Sequence, residues 1–261
     1  QFLASAQPGL ATLLQAIQGA RRGGEAMAGP LRIVAPRSIL LEVVWPVITE
    51  FCRRHPQVEP DVQLDDRIGN WVEDRVDVGF RSGYPPEGGV VARRLLSLQL
   101  IVCASPAYIA RHGAPICIAD LAQHRCSGFR HAATGKPMPW EFQVGDDIVA
   151  RDILPAFCTN DIEVEARAVL GGHAVGQLVG TTAAPLVRSG QVVPLLPQHV
   201  AQHLGLYVYY GNRKALPERV RAFIDLAVEM LANNPAYALT PQELGLAQAK
   251  PVRTPRARQT R

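Results

Sequence analysis

From Leu31 onward, short apolar runs alternate with stretches in which apolar residues recur every three or four positions. Leu31 to Ala35 reads as a buried strand, Pro36, Arg37 and Ser38 as a turn, and Leu40, Val44, Val47, Ile48 and Phe51 as one face of a helix. Asp61 to Asp65 alternates as a strand, Ile68 to Asp74 fits a short helix, and Val76 to Phe80 is an apolar strand ending at Arg81. Leu98 to Ala104 is a third strong strand, closed by Ser105 as a helix N-cap with Pro106 in the first helical position. Alternation of this kind predicts a parallel or mixed sheet covered by helices on both faces.

The second half repeats the pattern with weaker strands around Cys126 to Phe129, Ile148 to Arg151 and Ala156 to Cys158. Asn160 followed three residues later by Glu163 is a capping-box spacing, opening a helix through Ile162, Ala166, Val169 and Leu170 that Gly171 and Gly172 should stop. Ala174 to Leu178 returns as a strand, Leu204 to Tyr210 is a late strand, and Pro217 opens a helix with Val220, Phe223, Ile224, Ala227, Val228 and Leu231 on one face. Asn233, Asn234 and Pro235 end it, and the proline-rich, basic stretch after Ala236 lacks apolar periodicity, so a mobile tail is expected over 236–261. At the front, Phe2, Leu3, Leu10, Leu13, Leu14 and Ile17 mark a helical stripe crossed by Pro8 and Gly9 and followed by Gly19, Gly23 and Gly24. A short amphipathic helix of this kind leading into a hinge needs a partner surface, because helices of this length are marginal in water.

With 261 residues, 48% apolar and 19% charged, the chain can bury a sizeable core. Its formal net charge of +4 is misleading, since Lys250, Arg253, Arg256, Arg258 and Arg261 crowd the last twelve residues; without them the body stands at −1. A nucleic-acid-binding fold spreads positive charge over a docking face, which this distribution does not do. Cys52, Cys103, Cys117, Cys126 and Cys158 are odd in number and scattered, with no C-x-x-C pair, which argues against disulfides and structural zinc. The uncharged stretch Ala168 to Val187 holds too many glycines and polar groups to span a membrane, and no secretory signal opens the chain. The reducing cytoplasm is the expected compartment.

Catalytic motifs are missing: no G-x-S-x-G elbow, no G-x-x-x-x-G-K-[ST] loop and no H-E-x-x-H helix occurs. His199 and His203 are four apart but lack the accompanying Glu and precede a strand, so they do not read as a metal site. Asp65, Asp66 or Asp161 could serve as acid or base, yet nothing places a nucleophile beside them, so neither enzyme activity nor a cofactor is expected. What remains is a set of strand-to-helix turns with small polar residues: Pro36, Arg37 and Ser38; Arg81, Ser82 and Gly83; Ser105; and Thr159, Asn160 and Asp161. In open α/β sheets such turns meet at a cleft, where helix starts offer unpaired N–H groups to a small anion.

The stretches GPLRIVAP (Gly29 to Pro36), RVDVGFRSG (Arg75 to Gly83) and VARRLLSLQLIVCASPAYIARHG (Val91 to Gly113) resemble the effector-binding region of LysR-type transcriptional regulators. ADLAQHRC (Ala119 to Cys126), the step at Asn160 and Asp161, SGQVVPLLP (Ser189 to Pro197) and LPERVRAFIDL (Leu216 to Leu226) continue the likeness in order, and Phe2 to Arg22 resembles the end of the family's linker helix. The resemblance implies an α/β fold of two Rossmann-like subdomains, like type 2 periplasmic binding proteins, with crossovers near Cys103 to Ser105 and Leu204 to Tyr207. The expected division is linker helix and hinge over 1–28, subdomain I over 29–104, subdomain II over 105–203, and the return of subdomain I over 204–235. Effector-binding positions carry over to Arg37, Ser38, Asp66, Arg81, Thr159, Asn160 and Asp161, with Ser82 beside them. Arg37 and Arg81 favour a carboxylate-bearing co-inducer, while Asp66 has the opposite charge. The implied partners are a small-molecule effector and further copies of the chain in a homodimer or homotetramer. DNA would be reached only through a winged helix-turn-helix that this stretch does not contain, so the chain alone is not expected to bind an operator. A solute-binding transport protein of the same architecture is the alternative.

Overall fold

A computed structural model describes residues 27–65, 76–86, 89–131, 134–211 and 216–246. The front helix over Phe2 to Ile17, the helix over Ile68 to Asp74 and the end of the basic tail lie outside these residues.

Lobe I begins with β1 (Gly29–Ala35), whose Leu31, Ile33 and Ala35 face the core. A helix, α1, follows at once as a turn over Arg37–Ile39, a π-helical turn over Leu40–Val44 and a regular stretch over Trp45–Arg54. It starts three residues before the apolar spacing predicts, because Pro36 occupies the N-cap in extended geometry, where its missing N–H costs nothing. The extra residue of the π turn keeps Leu40, Val43, Val44, Val47, Ile48 and Phe51 all buried. Then come β2 (Val58–Leu64), β3 (Val78–Gly83) and the long β4 (Val90–Ala104).

Lobe II contains α2 (Pro106–His112), capped by Ser105, whose hydroxyl accepts from the Tyr108 N–H as the sequence predicts. It continues through β5 (Cys126–Phe129), the hairpin of β6 (Trp140–Val144) and β7 (Asp147–Arg151), β8 (Pro155–Thr159) and α3 (Ile162–Leu170). Next are β9 (Gly176–Val179), α4 (Gly180–Arg188) and β10 (Val193–Leu195). The chain returns along β11 (Ala201–Gly211) to α5 (Glu218–Leu231) in lobe I.

One seven-stranded sheet runs through both lobes in the order β10-β4-β11-β3-β1-β2, with β9 also on β4. β1 pairs parallel with β2 and β3, while β11 is antiparallel to β3 and β4. The lobes exchange within β4: Val90 to Leu100 pairs with β11, whereas Leu100 to Cys103 pairs with β9 and Val102 to Ala104 with β10. The change falls near Leu98–Leu100 and Ala201–Leu204, several residues ahead of the expected crossover at Cys103 to Ser105. A bridge between Cys126 and Val175 joins β5 and β8 to the lobe II end of the sheet.

The lobe I core packs α1 and α5 on the sheet, with the Phe223 ring edge-on to Phe51 at 5.2 Å and to Phe80 at 6.3 Å. Such aromatic pairs add about 0.5–1.5 kcal/mol each beyond burial. On the opposite sheet face Gly79 lies under the Tyr209 ring, where a Cβ would stand 2.4 Å from Cζ. Lobe II has two apolar clusters, one around Ile101, Cys103, Leu178 and Ala183, the other around Tyr108, Trp140 and Phe142. The first part of the stretch expected as a mobile tail, up to residue 246, is instead built into the fold: Pro235–Tyr237 forms a 3-10 turn, and Leu239 and Leu244 are buried in the first of these clusters.

Candidate functional site

The turn after β1 in lobe I and the turn after β8 in lobe II meet across the gap between the lobes. Arg37 and Ser38 open α1 immediately after β1, and Thr159 closes β8. The helix cap at the lobe II turn belongs to Asp161, one residue later than the predicted Asn160, which is exposed. Asp161 Oδ1 accepts from the Glu163 N–H at 2.9 Å and the Val164 N–H at 3.2 Å, and Thr159 Oγ1 accepts from the Asp161 N–H at 3.1 Å. A carboxylate can take two N–H groups with one oxygen and leave the second for another partner, which an amide does less well.

That second oxygen meets the other lobe. Asp161 Oδ2 lies 3.9 Å from Arg37 Nε, with the Arg37 side chain 58% exposed and that of Asp161 29%. Two of the residues picked from sequence, 124 positions apart, therefore face each other across the cleft. Arg81 sits on the face of β3 away from the core, in register with Tyr207, and its charge acts with that of Asp65 on the Tyr209 phenol. Burial pushes that phenol up first, Arg81 pulls it down and Asp65 pushes it up again, so a cation, an anion and a hydroxyl share one corner. Ser82 faces the other way, and its buried Oγ has no hydrogen-bond partner among the described residues. Asp66 lies outside the described residues.

A group that sequence reasoning missed sits at the hinge. His203, on β11 within the register shift between Ala201 and Leu204, has its ring 5.9 Å from Tyr84 of lobe I and its Nε2 3.2 Å from Glu141 Oε2 of lobe II. The contact has ion-pair distance without hydrogen-bond alignment. The only signal in the sequence was the His199/His203 spacing, and the two diverge: His199 Nδ1 binds the Gln143 carbonyl at 2.8 Å instead. Among the described residues no group of three His, Cys, Asp or Glu could hold a metal ion, and no helix is long and apolar enough to cross a membrane. The glycines after α3 form a helix stop: Gly172 takes φ +68°, with the His173 N–H bonded to the Ala168 carbonyl and the Gly172 N–H to that of Val169.

Inside lobe II, Glu165 on α3 is 1% exposed. Burial raises its carboxyl to about 7, against a smaller opposing effect of the Ser127 hydroxyl, which donates to Oε1 at 2.6 Å. Its Oε2 has no partner among the described residues. Cys103 beneath it is pushed up to about 12, by burial first and by the Glu165 charge second.

The two-lobed arrangement, with one sheet crossing twice, is that of type 2 periplasmic binding proteins and of LysR-type regulatory domains. The regulatory domain of CrgA from Neisseria meningitidis superposes with a TM-score of 0.70 at 27% identity, over 78% of this chain and 99% of that one. In sequence, CrgA of Neisseria meningitidis serogroup C is 30% identical over 80% of this chain and 70% of its own length. An HTH-type transcriptional repressor of Pseudomonas aeruginosa is 29% identical over 91% of this chain and 75% of its own. The chain thus spans about two thirds to three quarters of the length of such relatives, all transcriptional regulators. Residues 24–232 match the profile of the LysR substrate binding domain, and the chain belongs to that family.

Proposed function

We propose that this chain is the sensing part of a DNA-binding transcription regulator of the cytoplasm, taking a small carboxylate-bearing effector between its lobes. The observation that carries this reading is the meeting of Arg37 and Asp161 across the cleft at 3.9 Å. A ligand seated there touches the start of α1 and the start of α3 together only at one angle between the lobes. It therefore favours that angle by the difference in its affinity for the two arrangements. Arg37 and Arg81 supply the positive charge for a carboxylate, and Ser38, Thr159 and Asn160 the polar groups around it, whereas Ser82 faces away from Arg81 and is left out of the contact set. Asp161 and Asp65, and Asp66 next in the chain, set a charge limit that disfavours polyanions. Two or four copies of the chain would convert the change of angle into a new spacing of DNA-binding heads carried elsewhere in the full protein.

The test is a thermal-shift screen of small carboxylates and aromatic acids on the chain and on Arg81→Ala. Saturation at a hundredfold excess over Kd stabilises the native state by about 2.7 kcal/mol. One class of acid should raise Tm with concentration, and the shift should shrink in the variant. Absence of any such acid, or a shift in both Arg81→Ala and Arg37→Ala as large as in the parent chain, would overturn the assignment of the cleft.

A further inference from the structure

Beyond α5 the chain does not leave the molecule but crosses the hinge. Asn233 turns with φ +52° and donates its N–H to the Leu95 carbonyl of β4 at 2.9 Å, and the Tyr237 hydroxyl donates to the Glu42 carbonyl in the π turn of α1 at 3.2 Å. Both anchors lie in lobe I. Between and after them the segment is held by lobe II. Arg188, at the end of α4, donates to the carbonyls of Pro235, Ala236 and Ala238 at 3.0, 2.8 and 2.7 Å, and pairs with Glu243 at 2.7 Å. Leu239 and Leu244 are 3% and 5% exposed in the lobe II core.

The pivot itself holds the middle of the segment. Gln99 stands in β4 between Leu98, which pairs with β11, and Leu100, where pairing with β9 begins. Its buried amide grips Leu239 twice, Nε2 donating to the carbonyl at 2.9 Å and Oε1 accepting from the N–H at 2.7 Å. Beside these contacts, Ser97, Gln99, Gln202, Asn233 and Tyr237 line a half-open cavity of about 180 Å³ between the segment and the crossover strands. The segment lies past Ala232, where the match to the family profile ends.

We infer that residues 232–246 form a strap across the hinge that restrains the angle between the two lobes. Any rotation about Leu98–Leu100 must carry the lobe I anchors relative to Arg188, Leu239 and Leu244, so the strap either moves with the rotation or resists it. A segment with one end covalently continuous with lobe I and the other buried in lobe II resists.

The measurement is the distance distribution between two nitroxides carried on ketone side chains introduced at Glu59 of lobe I and Asp146 of lobe II, taken by pulsed electron resonance without ligand. The full chain is compared with Arg188→Gln and with the double variant Arg188→Gln/Gln99→Ala. Near-UV circular dichroism checks that each is folded, and amide exchange at Leu244, whose N–H bonds to the Thr240 carbonyl and to neither substituted side chain, reports release of the strap. Release should speed that exchange about tenfold or more and broaden the distribution about twofold. An unchanged distribution with the strap released overturns the inference. So does slow exchange that survives the double substitution, because the named anchors would then not be what holds the strap.

Discussion

Glu165 is a carboxylic acid buried where its type ordinarily meets water. Its carboxyl ordinarily releases a proton near 4.5 and in the folded chain near 7, so between those values the native state keeps a proton that the unfolded chain has lost. Stability from this group therefore falls as pH rises through that window, and the full penalty, on the order of 3 kcal/mol, is present above it. Glu165→Gln should remove the slope, leaving the parent and the variant close at pH 5 and the variant more stable at pH 8. Urea denaturation at the two pH values measures this, and an equal gap at both would show that the carboxyl is solvated. The sequence did not betray this group, since Glu165 lies in the first turns of a helix where an acid usually faces water and favours the helix dipole. Only the fold brings Ser127 and Cys103 close to it. Arg37 and Asp161 were legible because charge and turn chemistry are local, whereas their meeting across the lobes is a product of topology.

The start of α3 shows how a short-range rule can find an element and misplace its cap. Asn160 and Glu163 have capping-box spacing, yet Asp161 is the better cap because β8 holds the chain extended through Thr159, whose hydroxyl accepts from the Asp161 N–H. Asp161→Ala should lose about 1 kcal/mol of stability and Asp161→Asn almost none, since the amide oxygen still accepts from Glu163 and Val164. The pair with Arg37 adds little, being half open to water. An equal loss in the two variants, read from denaturation midpoints, would assign the energy to the pair instead. Elements with strong apolar period, such as α5 and the Leu98 to Ala104 part of β4, were readable from the sequence. β6 and α4 were not: Trp140 and Phe142 alternate for too short a run, and Pro185 inside α4 together with the glycines around it hides a helix that tertiary packing nevertheless enforces.

Across the whole molecule the two lobes are joined by more than a linker. β4 contributes to both, β11 crosses back, and the strap over residues 232–246 ties α5 to the lobe II core. Calorimetry should therefore show one unfolding transition whose calorimetric and van't Hoff enthalpies agree, whereas two resolved transitions would mean that the lobes melt independently. Apolar pattern alone indicated two similar halves and not their interleaving, which came only with the family resemblance, because strand order in a sheet is set by contacts between residues far apart in the chain.

That interleaving bears on how the protein is made. β11 fills the slot between β3 and β4, so a ribosome that has released residue 104 has produced two neighbours that must wait for a strand beginning at Ala201. Throughout that delay the nascent polypeptide carries unsatisfied ladder edges beside an apolar surface, the combination that invites mispairing with other chains. Slowing translation between these points should lower the soluble yield, and holdase chaperones that shield the early segment should restore it.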